Sequence, residues 1–182
     1  MIFLLLLLAS VVDAMLARLS TAGKDVHALS GEFTQKKRIA AFKQELTSHG
    51  RFAFARPAHL EWRYTDPDPS ALVVDGDRAT LTLPDEPAQT YDLAKQPGLR
   101  AVVRQMQLWL GGGADLAQIK ADYEVTLVKG AVHLVPRDAK LRARINAVDV
   151  EFDDKTLLPR TVRVSESGGD LTAISFSSLK KK

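Results

Sequence analysis

The chain has no cysteine among its 182 residues, which excludes disulfides, zinc–thiolate sites and thiol nucleophiles. Several catalytic motifs are also missing: the G-x-S-x-G nucleophile elbow, the phosphate loop, the G-x-G-x-x-G dinucleotide loop and the H-E-x-x-H zinc motif. The few histidines lie far apart in the chain, without the spacing of paired metal ligands; they are His27, His49, His59 and His133. We therefore expect no enzyme, no metal site and no cofactor.

A large excess of one charge is likewise missing. The sequence has 25 basic and 22 acidic residues, for a net charge of +3. Bases and acids alternate along the chain, as in Glu61/Arg63 and Glu151/Lys155, instead of clustering on one element. Such mixed charge is typical of a solvated surface, so we expect no nucleic-acid partner.

Only one long apolar run occurs, over residues 2–12, and Val12-Asp13-Ala14 follows it. The run is too short to span a bilayer but suits the core of a signal peptide that is cleaved after a small residue. We predict a signal peptide at residues 1–14, a periplasmic location, and one monomeric domain over residues 15–182. Because no basic side chain precedes the run, a retained apolar helix is the alternative.

Beyond residue 29 the hydrophobic pattern has the period of two that is typical of strands. It is clearest over residues 42–56, where Phe52 and Phe54 share one face, and it continues through Leu60, Trp62 and Tyr64. Further strands are predicted at residues 71–75, 78–83, 89–93, 121–128, 131–135, 143–152 (with a bulge near Ala147), 160–166 and 171–177. Helices are predicted at residues 14–28 and 97–110, and the final three lysines are predicted to form a frayed tail.

These elements predict a mainly antiparallel α+β fold with a packing problem. About ten strands share one apolar face, while only two or three short helices are available to cover it. A second sheet would require long crossovers, which the short turns do not provide, so we expect a curved, incomplete barrel wrapped around the helices. Such a cup would leave an apolar groove for a hydrophobic ligand. The same periodic Phe, Trp and Leu residues would equally suit an ordinary core.

Short motifs in the first half of the chain resemble a known family. The residues are Phe33-Thr34-Gln35-Lys36, Gly50, Arg56-Pro57, Trp62, Tyr64, Pro67 and Leu72-Val73-Val74-Asp75-Gly76. Their order and spacing over about residues 29–83 resemble the outer-membrane lipoprotein carriers, the LolA-like proteins.

The resemblance implies a half-open barrel whose apolar interior receives the acyl chains of lipoproteins or a related lipid. It also implies a periplasmic shuttle between an inner-membrane release complex and an outer-membrane acceptor. By position, Arg56 would hold the helical lid closed in the empty state. Together with the apolar faces described above, the resemblance predicts a groove and lid formed by Phe52, Phe54, Leu60, Trp62, Tyr64, Val74, Leu99, Val103, Met106 and Trp109.

Two other functions remain open at this point. The same scaffold would suit a non-transporting envelope sensor or interaction domain, and a lipid-sized pocket would suit a hydrolase or isomerase. A fold alone does not separate these classes, because function depends on the site.

Overall fold

The sheet consists of two antiparallel meanders that meet where the first strand pairs with the last. A computed structural model describes residues 2–42, 44–111 and 116–182, with side chains at 11–42, 44–111 and 118–182. The strands in these residues are β1 (Ala28–Ile39), β2 (Gln44–Ala55), β3 (His59–Asp66), β4 (Ser70–Asp75), β5 (Arg78–Thr82), β6 (Gln89–Asp92), β7 (Tyr123–Val128), β8 (Ala131–Pro136), β9 (Ile145–Phe152), β10 (Pro159–Glu166) and β11 (Leu171–Lys181). They form one sheet in the order β6-β5-β4-β3-β2-β1-β11-β10-β9-β8-β7.

The sheet is curved and open, with β6 and β7 as its edges, and this confirms the predicted fold class. The helices are α1 (Ile2–Lys24), α2 (Pro97–Leu110), α3 (Leu116–Asp122) and the short α4 (Ala139–Arg142). Helix α2 begins at Pro97 and its C-cap is Gly111. Proline has no N–H group, and the first turn of a helix has no intrahelical acceptor for one, so Pro97 suits the start of the helix. The bounds of α2 are those predicted from the sequence.

The buried side chains form two apolar clusters on the inner face of the sheet. The first core joins β1 to β5 and β11 with part of α2; its largest fully buried members are Phe33, Leu29, Leu60 and Leu110. The second core joins β7 to β10 with α1 and α3, and it includes Leu16, Leu19, Val148 and Val162. Helix α2 belongs to both, because Val103 and Leu110 face the first core while Trp109 faces the second.

The predicted frayed tail is wrong. Strand β11 continues to Lys181, which pairs with Leu29, and the Lys182 N–H donates to the Ala28 carbonyl at 2.9 Å. The long β1 would otherwise expose unpaired main-chain groups along this end, and pairing satisfies them. The lysine side chains stay exposed, so their polarity does not oppose the pairing.

Several predicted boundaries shift. A helix was predicted at residues 14–28, whereas α1 extends from Ile2 to Lys24. The predicted end of the signal peptide, after Ala14, therefore lies inside α1. The strands predicted from residues 121 and 143 begin at Tyr123 and Ile145, because α3 and α4 precede them. The bulge in β9 is confirmed: Ala147 pairs with Ser165 and Ile145 with Glu166, which leaves Asn146 as the extra residue.

The outer end of β2 does not bury its apolar face as its alternation predicts. Phe42 lies in a 3-10 turn and is 75% exposed, and Leu46 is 44% exposed. Among the described residues, the buried positions of β2 begin at Gly50, so its outer end lies outside both cores. Alternation identifies the two faces of a strand, but it does not show how much of a face is covered.

Gly50 on β2 provides space for the aromatic ring of Phe33. A Cβ atom at position 50 would lie 2.4 Å from Phe33 and 2.2 Å from the Arg63 carbonyl oxygen. We expect Gly50→Ala to lower the free energy of unfolding by about 1–3 kcal/mol, because the neighbouring strand and the ring must both shift. Urea denaturation measures this loss, and Gly168→Ala is the matched control, because its Cβ would have no neighbour within 4 Å and its φ, like that of Gly50, is not positive. A loss at Gly50 no larger than that at Gly168 would contradict the packing role.

Candidate functional site

The inner wall of the first core is a cluster of aromatic rings. Trp62 stacks on Phe33 with ring centroids 4.0 Å apart, and Tyr64 meets Phe33 edge-on at 5.3 Å. Phe52 and Phe176 extend the cluster, at 5.9 and 6.2 Å from Trp62. Because β1, β2, β3 and β11 are neighbours in the sheet, their inward residues form one continuous apolar surface.

The structure brings most of the predicted groove residues together. The buried members of the first core are Phe52, Phe54, Leu60, Trp62, Val74 and Val103, and the partly buried residues packed against it include Tyr64, Leu99 and Met106. Trp109 lies apart from them, in the second core. The predicted list omitted Phe33 and Phe176. Phe33 was visible in the F-T-Q motif, whereas Phe176 enters the wall only through the pairing of β11 with β1.

Arg56, at the end of β2, is hydrogen-bonded to two helix ends. Its Nε donates to the Val26 carbonyl at 2.9 Å, and its Nη2 donates to the carbonyls of Gly23 at 2.9 Å and Gly111 at 3.1 Å. Gly23 lies in the last turn of α1, and Gly111 is the C-cap of α2. One guanidinium group therefore joins both helices to the strand.

These contacts have a clear electrostatic basis. The last carbonyls of a helix lack intrahelical donors, and the helix dipole places partial negative charge there. The C-terminal ends of α1 and α2 both present such carbonyls to Arg56. A planar guanidinium with several N–H donors can bond to both, whereas a lysine ammonium group, with three donors at a single point, has less reach.

Within the described residues, packed side chains fill the apolar interior. A cavity of about 30 Å³ lies in the second core, between Leu16 and Leu19 of α1, Trp109 of α2 and Ile119 of α3. That volume is about the size of one or two water molecules, whereas ligand pockets generally measure roughly 300–1,000 Å³. An acyl chain could enter only if the helices moved away from the sheet.

A larger groove of about 650 Å³ lies between α2, α3 and residues 137–141, and we call it the α2–α3 groove. Its polar rim includes Arg104, whose guanidinium lies 4.0 Å from the Asp122 carboxylate. Arg137 also lines it, and its Nε donates to the carbonyls of Lys120 and Tyr123 at 3.2 Å each. Burial raises the pKa of the Tyr123 hydroxyl, and the neighbouring Asp122 charge adds to this. No sequence pattern predicted this groove.

The polar face of α2 differs from its predicted arrangement. The helical period places Gln105 on the solvent side and Val102 on the inner side, yet Gln105 is 7% exposed and Val102 is 47% exposed. Trp109, four residues after Gln105, packs in the second core, so this side of α2 also faces the interior. The sequence of α2 contains no information about that second core.

Two buried donors on α2 have no hydrogen-bond partner among the described residues. They are the side-chain amide Nε2 of Gln105 and the indole Nε1 of Trp109, and each residue is 7% exposed. A buried polar group without a partner costs about 1–3 kcal/mol, and such groups are rare in folded proteins. Gln105 lines the α2–α3 groove, and Trp109 belongs to the second core. The lack of a partner for these two donors requires an explanation.

The outer face of the sheet is polar and carries paired charges. A hydrogen bond from Arg63 lowers the pKa of Glu61, and one from Arg163 lowers the pKa of Glu151. Within the described part of the chain, no group of three or more His, Asp or Glu side chains is placed to hold a metal ion. Among the described residues, no helix has both the length and the apolar character needed to cross a bilayer.

Comparison with known sequences identifies relatives over almost the whole chain. The family model "Outer membrane lipoprotein carrier protein LolA" matches residues 24–182. A protein named outer-membrane lipoprotein carrier protein from Neisseria meningitidis serogroup C is 32% identical over 180 residues, which cover 94% of this chain and 77% of that protein. A protein of the same name from Shewanella sediminis is 28% identical over 182 residues, covering 94% of this chain and 78% of that protein.

Solved structures with the same fold include MucB. One MucB structure superposes with a TM-score of 0.51 at 21% identity, and another, in complex with periplasmic MucA, does so with a TM-score of 0.51 at 18% identity. Each covers 94% of this chain, but this chain spans only 59% and 56% of the respective MucB chains. At these identities the likeness concerns the fold of the sheet and its helices.

Proposed function

Because the chain belongs to the LolA family of outer-membrane lipoprotein carriers, we propose that it is a periplasmic carrier that shields lipoprotein acyl chains, or a related lipid, on its apolar inner wall. The observation that carries this proposal is a continuous apolar wall covered by α2, whose C-terminal end is joined through Arg56 to the C-terminal end of α1. Because one guanidinium group bonds to both helix ends, the loss of its hydrogen bonds would favour movement of the helices away from the wall. The proposal takes residues 1–14 as the export signal.

An open form of the protein has a lower free energy with an acyl chain bound than without one. Moving α2 away from the wall exposes Val103 and Leu110, which are at most 2% exposed in the closed form. Each methylene buried in exchange contributes about 0.8 kcal/mol, so one long acyl chain supplies on the order of 10 kcal/mol before losses. The closed form therefore protects the wall until a lipid replaces the helices.

Family membership also supports the direction of transport. We propose that the protein accepts cargo from an inner-membrane release complex and delivers it to an outer-membrane acceptor. Its relatives are named outer-membrane lipoprotein carrier proteins, which supports the outer membrane as the destination. Family membership does not favour catalysis, so we propose a binding protein and not an enzyme.

The decisive experiment compares acylated and unacylated ligands. A fluorescent fatty acid bound to the purified protein should be displaced by a triacylated lipopeptide but not by the same peptide without its acyl chains. Failure of the fatty acid to bind would contradict the carrier proposal. Equal competition by both peptides would instead favour an interaction domain, as in MucB, whose structure is known with MucA.

A matched pair of variants on α2 tests the apolar wall. Met106 packs against the first core, whereas Val102, four residues earlier, is exposed. Met106→Glu should weaken binding of the fluorescent fatty acid at least tenfold, because a buried carboxylate opposes an acyl chain. Val102→Glu should leave the affinity within about twofold, since surface substitutions have small effects. If both variants bind equally well, α2 does not adjoin the ligand.

A further inference from the structure

The two donors without partners lie on one side of α2, where the polar groove meets the apolar interior. Gln105 and Trp109 are four residues apart, a spacing that places side chains on the same face of a helix. Gln105 lines the α2–α3 groove and Trp109 lines the small apolar cavity, while Leu108 and Ile119 line both. The two spaces are therefore adjacent, and the two residues that carry the donors line one space each.

The chemistry of the missing partner follows from these groups. Both are neutral N–H donors, and a carbonyl oxygen has two lone pairs that accept such bonds. Both donors are themselves uncharged and buried, so an acceptor that bonds to them must leave water. Burying a neutral carbonyl there costs less free energy than burying a phosphate or a carboxylate, which favours a neutral acceptor.

We propose that Gln105 and Trp109 bind the carbonyl oxygen of the ester or amide that links an acyl chain to its polar carrier. An acyl chain held in this way enters the second core when α1 moves, so the second core adds an apolar region to the first-core wall of the proposed carrier. The polar part of the ligand occupies the α2–α3 groove, whose volume of about 650 Å³ is large enough for it. This inference rests on the proposed carrier function, and it adds a preference for carbonyl-linked chains over plain hydrocarbon chains.

The test compares two probes that differ only in that carbonyl. Monopalmitoylglycerol contains the ester, and hexadecyl glyceryl ether has a chain of equal length without it. The wild-type protein should bind the ester about tenfold more tightly than the ether, as expected for one to two net hydrogen bonds. Gln105→Leu should reduce this ratio to about threefold.

Controls separate this role from a structural one. Gln105→Leu removes a buried donor that lacks a partner, so the melting temperature should stay the same or rise. Gln96→Leu makes the same chemical change at an exposed position before α2, and it should keep the tenfold ratio. A second readout uses the ester with an isotope-labelled carbonyl. Its infrared stretching band should lie at a lower frequency in the complex with the wild-type protein than in the complex with Gln105→Leu.

The outcomes are distinct. Equal binding of ester and ether by the wild-type protein, or an unshifted carbonyl band, would overturn the inference and leave the carrier proposal standing. A ratio that Gln105→Leu does not change would also overturn it. If neither probe binds, the carrier proposal and this inference fail together.

Discussion

Replacing Arg56 with leucine should open the helical cover about thirtyfold more often without unfolding the sheet. The substitution removes three hydrogen bonds from a charged donor to the carbonyls of Gly23, Val26 and Gly111. Such bonds contribute about 1.5–3 kcal/mol each when shielded, but Arg56 is partly solvated, so we expect about 2 kcal/mol for all three together. Hydrogen exchange of the α2 amides measures the change.

Ligand affinity should rise in the same variant. If the closed form competes with lipid for the apolar wall, weakening the closed form removes part of that competition. We expect Arg56→Leu to bind a fluorescent fatty acid more tightly and to release it more slowly to acceptor vesicles. Arg51→Leu is the matched control, because Arg51 points outward from the same strand and is exposed.

The contrary result for Arg56 is equally clear. If exchange accelerates as much in the central strands β1 and β2 as in α2, the arginine stabilises the whole fold and is not a latch. Lysine at position 56 provides an intermediate case, since a single ammonium group lacks the fork that bonds to both helix ends. We expect its affinity and exchange rates to lie between those of the wild type and the leucine variant.

Replacing Trp62 with alanine should lower the free energy of unfolding by about 3–5 kcal/mol, the usual cost of removing a large buried aromatic side chain. Trp62 is 5% exposed and stacks on Phe33 at 4.0 Å, with Phe52 and Phe176 beside it. No neighbour fills the space left behind, because these rings belong to four different paired strands. Denaturant unfolding followed by circular dichroism provides the measurement.

Two controls accompany the Trp62 variant. Trp62→Phe keeps one ring in the stack and should cost clearly less. Arg63→Ala changes the adjacent outward side chain, whose ion pair with Glu61 is exposed, and should cost at most about 1 kcal/mol. A cost for Trp62→Ala as small as that for Arg63→Ala would mean that the aromatic wall does not support the sheet.

The agreement between sequence and structure is best where a local rule decides the outcome. Helix α2 has its predicted bounds because Pro97 and Gly111 are strong start and stop signals. The bulge in β9 was visible as a slip in its alternation. Nine of the ten predicted groove residues meet in the first core, because inward positions of neighbouring strands share one face.

The disagreements arise where an element depends on a distant partner. The final lysines form part of β11 because β1, near the other end of the chain, provides an edge for them. Gln105 is buried, and Phe42 and Leu46 are exposed, against the period of their own segments. The burial of these positions depends on the surrounding elements, so no periodic pattern reports it.

The sequence by itself determined the class of the protein: an antiparallel sheet with one apolar face, no thiol chemistry, and motifs of a lipoprotein-carrier family. Only the tertiary structure decided that packed side chains fill the interior of the described residues, that two helix ends converge on Arg56, and that two donors without partners lie beside a polar groove. The physical reason is the distance along the chain over which each effect acts. Alternation and turn chemistry are local, whereas packing, convergence and burial depend on contacts between segments that are far apart in the chain.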